Sequence, residues 1–296
     1  MIFLIFVFVI FLLVILIYCL KYFEIPRYMN MNRNTWDNAI KLDRKYHLVP
    51  RVKSKSRVVI SMTTIPSRLN KIAPTLCSIL SQTRRVDEIR LNIPYRSRKG
   101  EKYNIPKCFN KFRYIKIYRT NKDYGPSTKL LPTLKDEKHS SIIVIDDDMI
   151  YGSDLVRQLV RSFVKHKEKV AITYYGCNQK DDKMSRTWKF LQGDKYVYLL
   201  FGCGGYILKG TMLPDEVFDY DNGPKEAVFV DDNWISGWLW MAGVKVYTMG
   251  ISSNTMYIPN QKTVGTVALC TGVNKNKSNN AIVDKWFTQL NQFNQN

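Results

Sequence analysis

The residues Ile142-Ile143-Val144-Ile145 run without a break into Asp146-Asp147-Asp148. Four consecutive aliphatic residues leave no face for solvent, so a strand built from them must be covered on both sides. That is the environment of an inner strand in a parallel sheet. The three carboxylates then arrive where the strand leaves the sheet. Anions this close repel one another strongly in a low-dielectric crevice. They are tolerated when solvated, hydrogen-bonded or neutralised by a cation. Hard divalent ions such as Mn2+ and Mg2+ favour oxygen ligands of this kind and bridge carboxylate to phosphate. The plainer alternative is an acidic turn capping a helix that begins at Ser153.

The neighbouring pattern extends the sheet. Residues 58–62, 88–93, 114–118 and 170–175 read as further strands. Between them the spacing predicts a helix over 67–80 through Leu69, Ile72, Leu76 and Ile79, with Pro74 in its middle. It also predicts a short helix from Ser127 and a helix over 153–165 through Leu155, Leu159, Val160 and Phe163. Alternating strands and helices imply an α/β, Rossmann-like fold with a mostly parallel central sheet. In such sheets ligands bind beyond the carboxyl ends of the strands, at the point where strand order reverses. With 296 residues, 45% of them apolar, one sizeable domain plus accessory segments is expected, and a disordered or linker-rich chain is excluded.

Residues 1–20 carry no charged side chain and are almost wholly Ile, Leu, Val and Phe. About 20 apolar residues match a membrane-spanning helix. A cleaved leader would need a basic start and a small-residue cleavage site, and neither is present. A single-pass membrane anchor is expected, with a buried core helix as the alternative. Lys21, Arg27, Arg33, Lys41, Arg44 and Lys45 follow the run, which favours the bulk of the protein on the cytosolic side. A lumenal orientation stays open, and a glycan at the Asn276 sequon would report it. Cys19, Cys77, Cys108, Cys177, Cys203 and Cys270 are scattered and read as reduced thiols. Residues 21–56 read as a basic stalk with a short helix over 36–46, residues 57–273 as the main α/β domain, and residues 274–296 as an Asn/Gln-rich tail. That tail holds one amphipathic helix through Ile282, Trp286 and Leu290. The net charge of +20 suits anionic lipid or phosphorylated small molecules. The basic residues form no nucleic-acid-binding module, so no nucleic-acid partner is expected.

At the acidic strand end the chain resembles nucleotide-sugar glycosyltransferases of the GT-A fold, whose DxD motif follows a strand in this way. Four further segments agree in order. Ile60-Ser-Met-Thr-Thr-Ile-Pro-Ser-Arg68 follows the first strand, where such enzymes receive base and ribose. Tyr124-Gly-Pro-Ser-Thr-Lys129 precedes the acidic strand, as similar segments do in glycosyltransferase-like proteins of large DNA viruses and bacteria. Phe201-Gly-Cys-Gly-Gly-Tyr206 and Phe229-Val-Asp-Asp-Asn-Trp234 resemble the glycine-rich strand and acidic helix start that border sugar and acceptor. The resemblance covers residues 57–250. It implies a hexosyltransferase-type enzyme taking a nucleotide-diphosphate sugar, a UDP-sugar by preference, to a hydroxyl on a glycan, lipid or protein. Mn2+ or Mg2+ would sit on Asp146 and Asp148. Thr63, Thr64, Arg68, Lys129, Asp146, Asp147, Gly204 and Gly205 would lie along the donor, and Asp232 or Asp231 would be the catalytic base of an inverting transfer. Many GT-A enzymes add a late histidine as a metal ligand, but His47, His139 and His166 are all early.

Each segment also has a plainer reading. Gly125-Pro126 makes a turn that lets Ser127 cap a helix, and a helix amino end plus the Lys129 ammonium is a competent diphosphate site; an ordinary capped helix explains the same residues. Arg68 suits a helix surface, and Thr63 and Thr64 suit a strand-end turn. Gly202, Gly204 and Gly205 interrupt an apolar run, which a close-approaching sugar or a bulge would require. One of Asp231 and Asp232 is explained as an N-cap, and the other as a base. Trp188 and Trp234 suit sugar stacking or core packing. A nucleotidyltransferase of related fold is the second enzyme reading. It is weakened by the absence of glycine between Ser61 and Arg68. A basic, membrane-tethered nucleic-acid-binding protein is the third reading.

Overall fold

The structure, a computed structural model, describes residues 6, 9–13, 31, 33–177, 195–249, 257–263, 274 and 278–295. Twelve strands lie among them: β1 (Val58–Thr63), β2 (Glu88–Pro94), β3 (Ile115–Thr120), β4 (Ser141–Val144), β5 (Met149–Tyr151), β6 (Ala171–Thr173), β7 (Gly176–Cys177), β8 (Lys195–Val197), β9 (Leu199–Leu200), β10 (Tyr206–Lys209), β11 (Val246–Thr248) and β12 (Tyr257–Pro259). Eight of them form one sheet in the order β3-β2-β1-β4-β10-β6-β11-β8. Strands β3, β2, β1, β4, β6 and β11 run in one direction, and β10 and β8 oppose them. The α/β class and the mostly parallel sheet read from the sequence are therefore present. The aliphatic run is its centre: every residue of β4 is buried, between β1 on one side and β10 on the other.

The α-helices are α1 (Trp36–Lys45), α2 (Ala73–Leu80), α3 (Leu131–Asp136), α4 (Leu155–Lys165), α5 (Asp231–Met241) and α6 (Ser278–Gln295). The helix expected over 67–80 is divided. A 3-10 turn at Leu69–Lys71 precedes α2, which begins so that Pro74 falls in its first turn. Proline lacks the N–H that a helix interior needs but fits the first turn, where that donor is unused anyway. The short helix expected from Ser127 is likewise a 3-10 turn, Gly125–Lys129, followed by α3. Ser127 lies inside that turn and caps nothing; its Oγ accepts a hydrogen bond from the Tyr220 hydroxyl at 2.6 Å.

The segment read as a stalk contributes a packed helix. Thr35 and Asn38 form a capping box at the start of α1. Buried Asp43 accepts from the backbone N–H groups of Arg113 (2.7 Å) and Tyr114 (3.0 Å), and Tyr46 Oη accepts from Val86 N at 3.1 Å. Among the described residues no helix is long and apolar enough to cross a membrane. Most of the 1–20 run, on which the membrane expectation falls, lies outside the described residues, as do Trp188 and Asn276.

Helix α6 docks through part of its expected stripe, with Trp286 and Leu290 packed partly buried against the core. Val283 and Phe287 are buried, whereas Ile282 is 42% exposed. The stripe is shifted because Phe287 inserts between Trp234, Trp238 and Trp286, at centroid distances of 5.5, 5.4 and 4.9 Å. Gly237 admits that ring: a Cβ there would lie 2.2 Å from Phe287 Cε2. Replacing Phe287 with Ala should cost about 3 kcal/mol of stability through the cavity it leaves. Denaturant unfolding measures this, and a loss below about 1 kcal/mol would show that α6 does not depend on that ring.

Candidate active site

Strands β1 and β4 are neighbours, yet the chain travels outward from β1 through β2 to β3 before returning to β4 on the other side of β1. That reversal opens a crevice at the carboxyl ends of β1 and β4. Thr63 and Thr64 stand at the end of β1, and Asp146-Asp147-Asp148 follow β4.

The three carboxylates have three different environments. Asp147 is buried, accepting from Thr64 Oγ1 at 2.5 Å and from Arg68 Nη1 at 2.9 Å, while its backbone oxygen accepts from Thr75 Oγ1 at 2.8 Å. Burial pushes its carboxyl above the usual range against the pull of Arg68 and Thr64. Asp148 is partly exposed and lies 3.0 Å from the same Arg68 nitrogen. Burial, with Asp146 and Asp147 beside it, pushes its carboxyl up to about 6. Asp146 is partly exposed and pairs with Lys129 Nζ at 2.7 Å. Its backbone N–H donates to Tyr151 Oη at 2.9 Å, and that hydroxyl donates to the Cys203 carbonyl at 3.2 Å. Thr63 faces elsewhere, donating to the Asn92 carbonyl at 2.7 Å.

Lys129 joins two elements. Its backbone carbonyl accepts from Ser61 Oγ at 2.5 Å, and Ser61, Thr133 and Asn92 form a buried network, with Asn92 Nδ2 donating to both hydroxyls. The network fixes the base of the lysine against β1 and β2. At its tip, Nζ lies 2.7 Å from Asp146 and 2.8 Å from Asp231. Burial alone would lower the ammonium; Asp146, Asp231 and Asp232 outweigh it and raise the group well above its ordinary value.

Asp231 and Asp232 occupy the first turn of α5, where the helix dipole favours negative charge. Neither is the N-cap expected from the sequence, because Val230 holds that position. Asp232 Oδ1 accepts from Gly202 N at 3.0 Å. Burial and the neighbouring Asp231 push the Asp232 carboxyl well above the usual range.

The glycines differ from the expected pocket floor. A Cβ at Gly204 would fall 2.8 Å from Tyr174 Cβ, and Gly205 adopts φ +83° against Leu155 and Val144. Close packing accounts for Gly204 and the left-handed backbone for Gly205. The glycine that meets the charged site is Gly202, where a Cβ would lie 2.4 Å from Lys129 Nζ and 3.1 Å from Asp232 Oδ1.

Five carboxylates thus surround two cations, Arg68 and Lys129. The residual negative charge and the oxygen-only donor set fit a hard divalent ion, with Asp146 and Asp148 as the two partly exposed carboxylates of the strand end. Among the described residues no group of three or more His, Cys, Asp or Glu side chains is placed to hold a metal by itself. Diphosphate and water oxygens would have to complete such a site.

Sequence reasoning missed Tyr151, Tyr206, Gly202 as a lysine contact, and the Ser61–Asn92–Thr133 network. Tyr206 Oη is buried without a hydrogen-bond partner among the described residues, within electrostatic reach of Lys129, Asp231, Asp232 and Asp146. The polar residues inside β1 and β2 were the available signal, since buried Ser and Asn in apolar strands require partners.

No family model and no curated protein matches the chain. Among solved structures it is similar to S. aureus TarS 1–349 in complex with UDP, with TM-score 0.46 and 13% identity over 68% of this chain and 59% of that one. It is also similar to TarS 1–349 alone (TM-score 0.46, 12% identity, 68% and 59%) and to a further TarS structure (TM-score 0.43, 13% identity, 66% and 37%). The chain therefore spans less than two thirds of each of these neighbours.

The carboxyl of Asp148 carries a pH prediction. Its folded pKa of about 6 lies above the ordinary 3.8, so the folded chain holds this proton more tightly than the unfolded one. Stability from that proton is present below about pH 4 and is lost as pH rises through 6. Asp148→Asn keeps the shape without the charge. Its Tm advantage over the parent should be small at pH 4 and grow to several degrees at pH 7 in chelator-treated protein. A constant difference across that range would contradict the assignment.

Proposed function

We propose that the chain is a glycosyltransferase of the GT-A type, transferring a sugar from a nucleotide-diphosphate donor, a UDP-sugar by preference, to a hydroxyl acceptor. The observation that carries this reading is the meeting of Asp146 and Asp148 with Lys129, Arg68 and the Asp231-Asp232 helix start at the reversal point of the sheet. A donor diphosphate needs positive charge at its phosphates and a carboxylate facing the acceptor. That crevice holds both kinds of group.

Asp146 and Asp148 would hold Mn2+ or Mg2+ against the diphosphate. When bound, the ion supplies Lewis-acid stabilisation of the leaving nucleoside diphosphate. Lys129 and Arg68, held by their carboxylate partners, would add positive charge near the diphosphate. Asp147 holds Arg68 and the end of β1 in place through Thr64. Asp232, raised by burial and by Asp231, accepts the acceptor's proton in an inverting transfer, because a carboxyl with a raised pKa is the stronger base once ionised. The acceptor is a glycan, lipid or protein hydroxyl. Residues 1–20 anchor the enzyme in a membrane as a single span with the catalytic domain on the cytosolic side, on the strength of their apolarity and the basic residues that follow.

The test is a screen of nucleotide sugars with Mn2+ or Mg2+, read by the released nucleotide. Release of a nucleoside diphosphate with one donor is expected; consumption of added pyrophosphate to give a nucleoside triphosphate and a sugar 1-phosphate instead would indicate nucleotidyl transfer and overturn the proposal. With the active donor, Asp148→Asn should lower turnover by about 100-fold or more while the protein stays folded. Gly202→Ala should also lower turnover, because its Cβ displaces the Lys129 ammonium. Unimpaired turnover in Asp148→Asn would remove the metal assignment.

A further inference from the structure

A second cleft lies toward the amino ends of the central strands. It has a volume of about 660 Å³ and is lined by Lys53, Ser54, Lys55, Val164, Lys167 and Glu168. Its floor reaches β4 at the amino end: Ser56 Oγ hydrogen-bonds Ser141 Oγ, on the first residue of that strand, at 2.7 Å. The acidic site begins after the last residue of the same strand, so the four residues of β4, about 13 Å of extended chain, separate the two.

The charge of the cleft is unbalanced. Its one carboxylate, Glu168, is engaged by Ser54 Oγ and Ser56 Oγ, each at 3.4 Å, and lies 3.6 Å from Lys209 Nζ. Lys53, Lys55 and Lys167 are exposed, and among the described residues none of them is in an ion pair. Three exposed lysines thus line a concavity whose only acid already has a counterion. Lysines placed this way repel one another at low ionic strength and favour an anion between them.

The backbone at the rim adds a second observation. Lys167 and Glu168 follow α4 with φ of 57° and 56°, and they are the only non-glycine residues with positive φ among those described. Glycine ordinarily fills the left-handed position after a helix, because side chains enter it only at an energetic cost. Here two consecutive residues with long side chains adopt it, anchored by Glu168 N donating to the Phe163 carbonyl at 2.9 Å. The turn sets one of the three lysines and the cleft's acid on its rim. Conformations of this kind persist where the surroundings enforce them, and they concentrate at ligand sites.

We infer that this cleft is a binding site for a phosphate-bearing anion, with Lys53, Lys55 and Lys167 supplying the charge. The phosphate can belong to a soluble molecule or to a lipid headgroup. Val164, 43% exposed on the rim, offers a lipid an apolar contact that a free phosphate would not use.

Calorimetric titration of the full chain at low ionic strength tests the site with two probes, inorganic phosphate and dihexanoyl phosphatidic acid below its micellar concentration. Zwitterionic dihexanoyl phosphatidylcholine is the control. Binding that weakens at least tenfold in the triple variant Lys53→Gln, Lys55→Gln, Lys167→Gln, and that survives Arg68→Gln at the carboxyl end of the sheet, is the expected result. Equal affinity for the two probes would identify a soluble phosphate as the ligand, and tighter binding of phosphatidic acid a lipid headgroup. Lys167→Gly, which suits the left-handed turn, should raise Tm and still bind phosphate severalfold more weakly than the parent. No binding of either probe, or affinities unchanged in the triple variant and in Lys167→Gly, would overturn the inference.

Discussion

The charged site is organised around one buried ammonium. Lys129 lies beneath Asp146 and Asp231, within 2.8 Å of both, and so ties the end of the central strand to the start of α5. A buried lysine left without partners would be expensive, and so would the acids left without it. Each group is therefore tolerable only because the other is there. The rest of the local architecture serves that arrangement. Ser61, Asn92 and Thr133 hold the lysine's backbone, Gly202 leaves room for its tip, and Tyr151 holds the backbone of Asp146.

This dependence explains two of the buried polar residues of the sheet. Ser61 and Asn92 would be anomalies in apolar strands if they did not anchor Lys129. The second cation, Arg68, performs the same service for Asp147 and Asp148, at 2.9 and 3.0 Å. Two cations cannot neutralise five carboxylates; burial first, and then the neighbouring acids, raise the carboxyls of Asp148 and Asp232. A crevice in this condition gains from any ligand that brings a divalent cation.

Much of the fold could be read in advance, because the strongest signals in the chain are local. The aliphatic run before Asp146 identified the central strand, and the periodicity through Leu155, Leu159 and Phe163 identified α4. The charged residues of the site were also visible, since a run of acids and a lysine after Gly125-Pro126 stand out in one dimension. What could not be read was pairing across the chain. Nothing near Lys129 in sequence points to Asp231, about a hundred residues away, and nothing near Gly202 points to Lys129. Gly204 and Gly205 looked like a pocket because a glycine's neighbours in space are invisible in sequence; Tyr174 and Leu155 supply them. The shifted stripe of α6 has the same cause, as Phe287 follows a hole left by Gly237 rather than ideal helical spacing.

The account stands or falls on whether the acidic strand end grips a cation together with a diphosphate. The most direct measurement is the affinity of the intact chain for UDP, by calorimetry, with and without Mn2+, in the parent and in Asp146→Asn. The account predicts that Mn2+ tightens UDP binding at least tenfold in the parent and that Asp146→Asn removes most of that gain. UDP binding that is indifferent to Mn2+, or a gain that persists undiminished in Asp146→Asn, would contradict it.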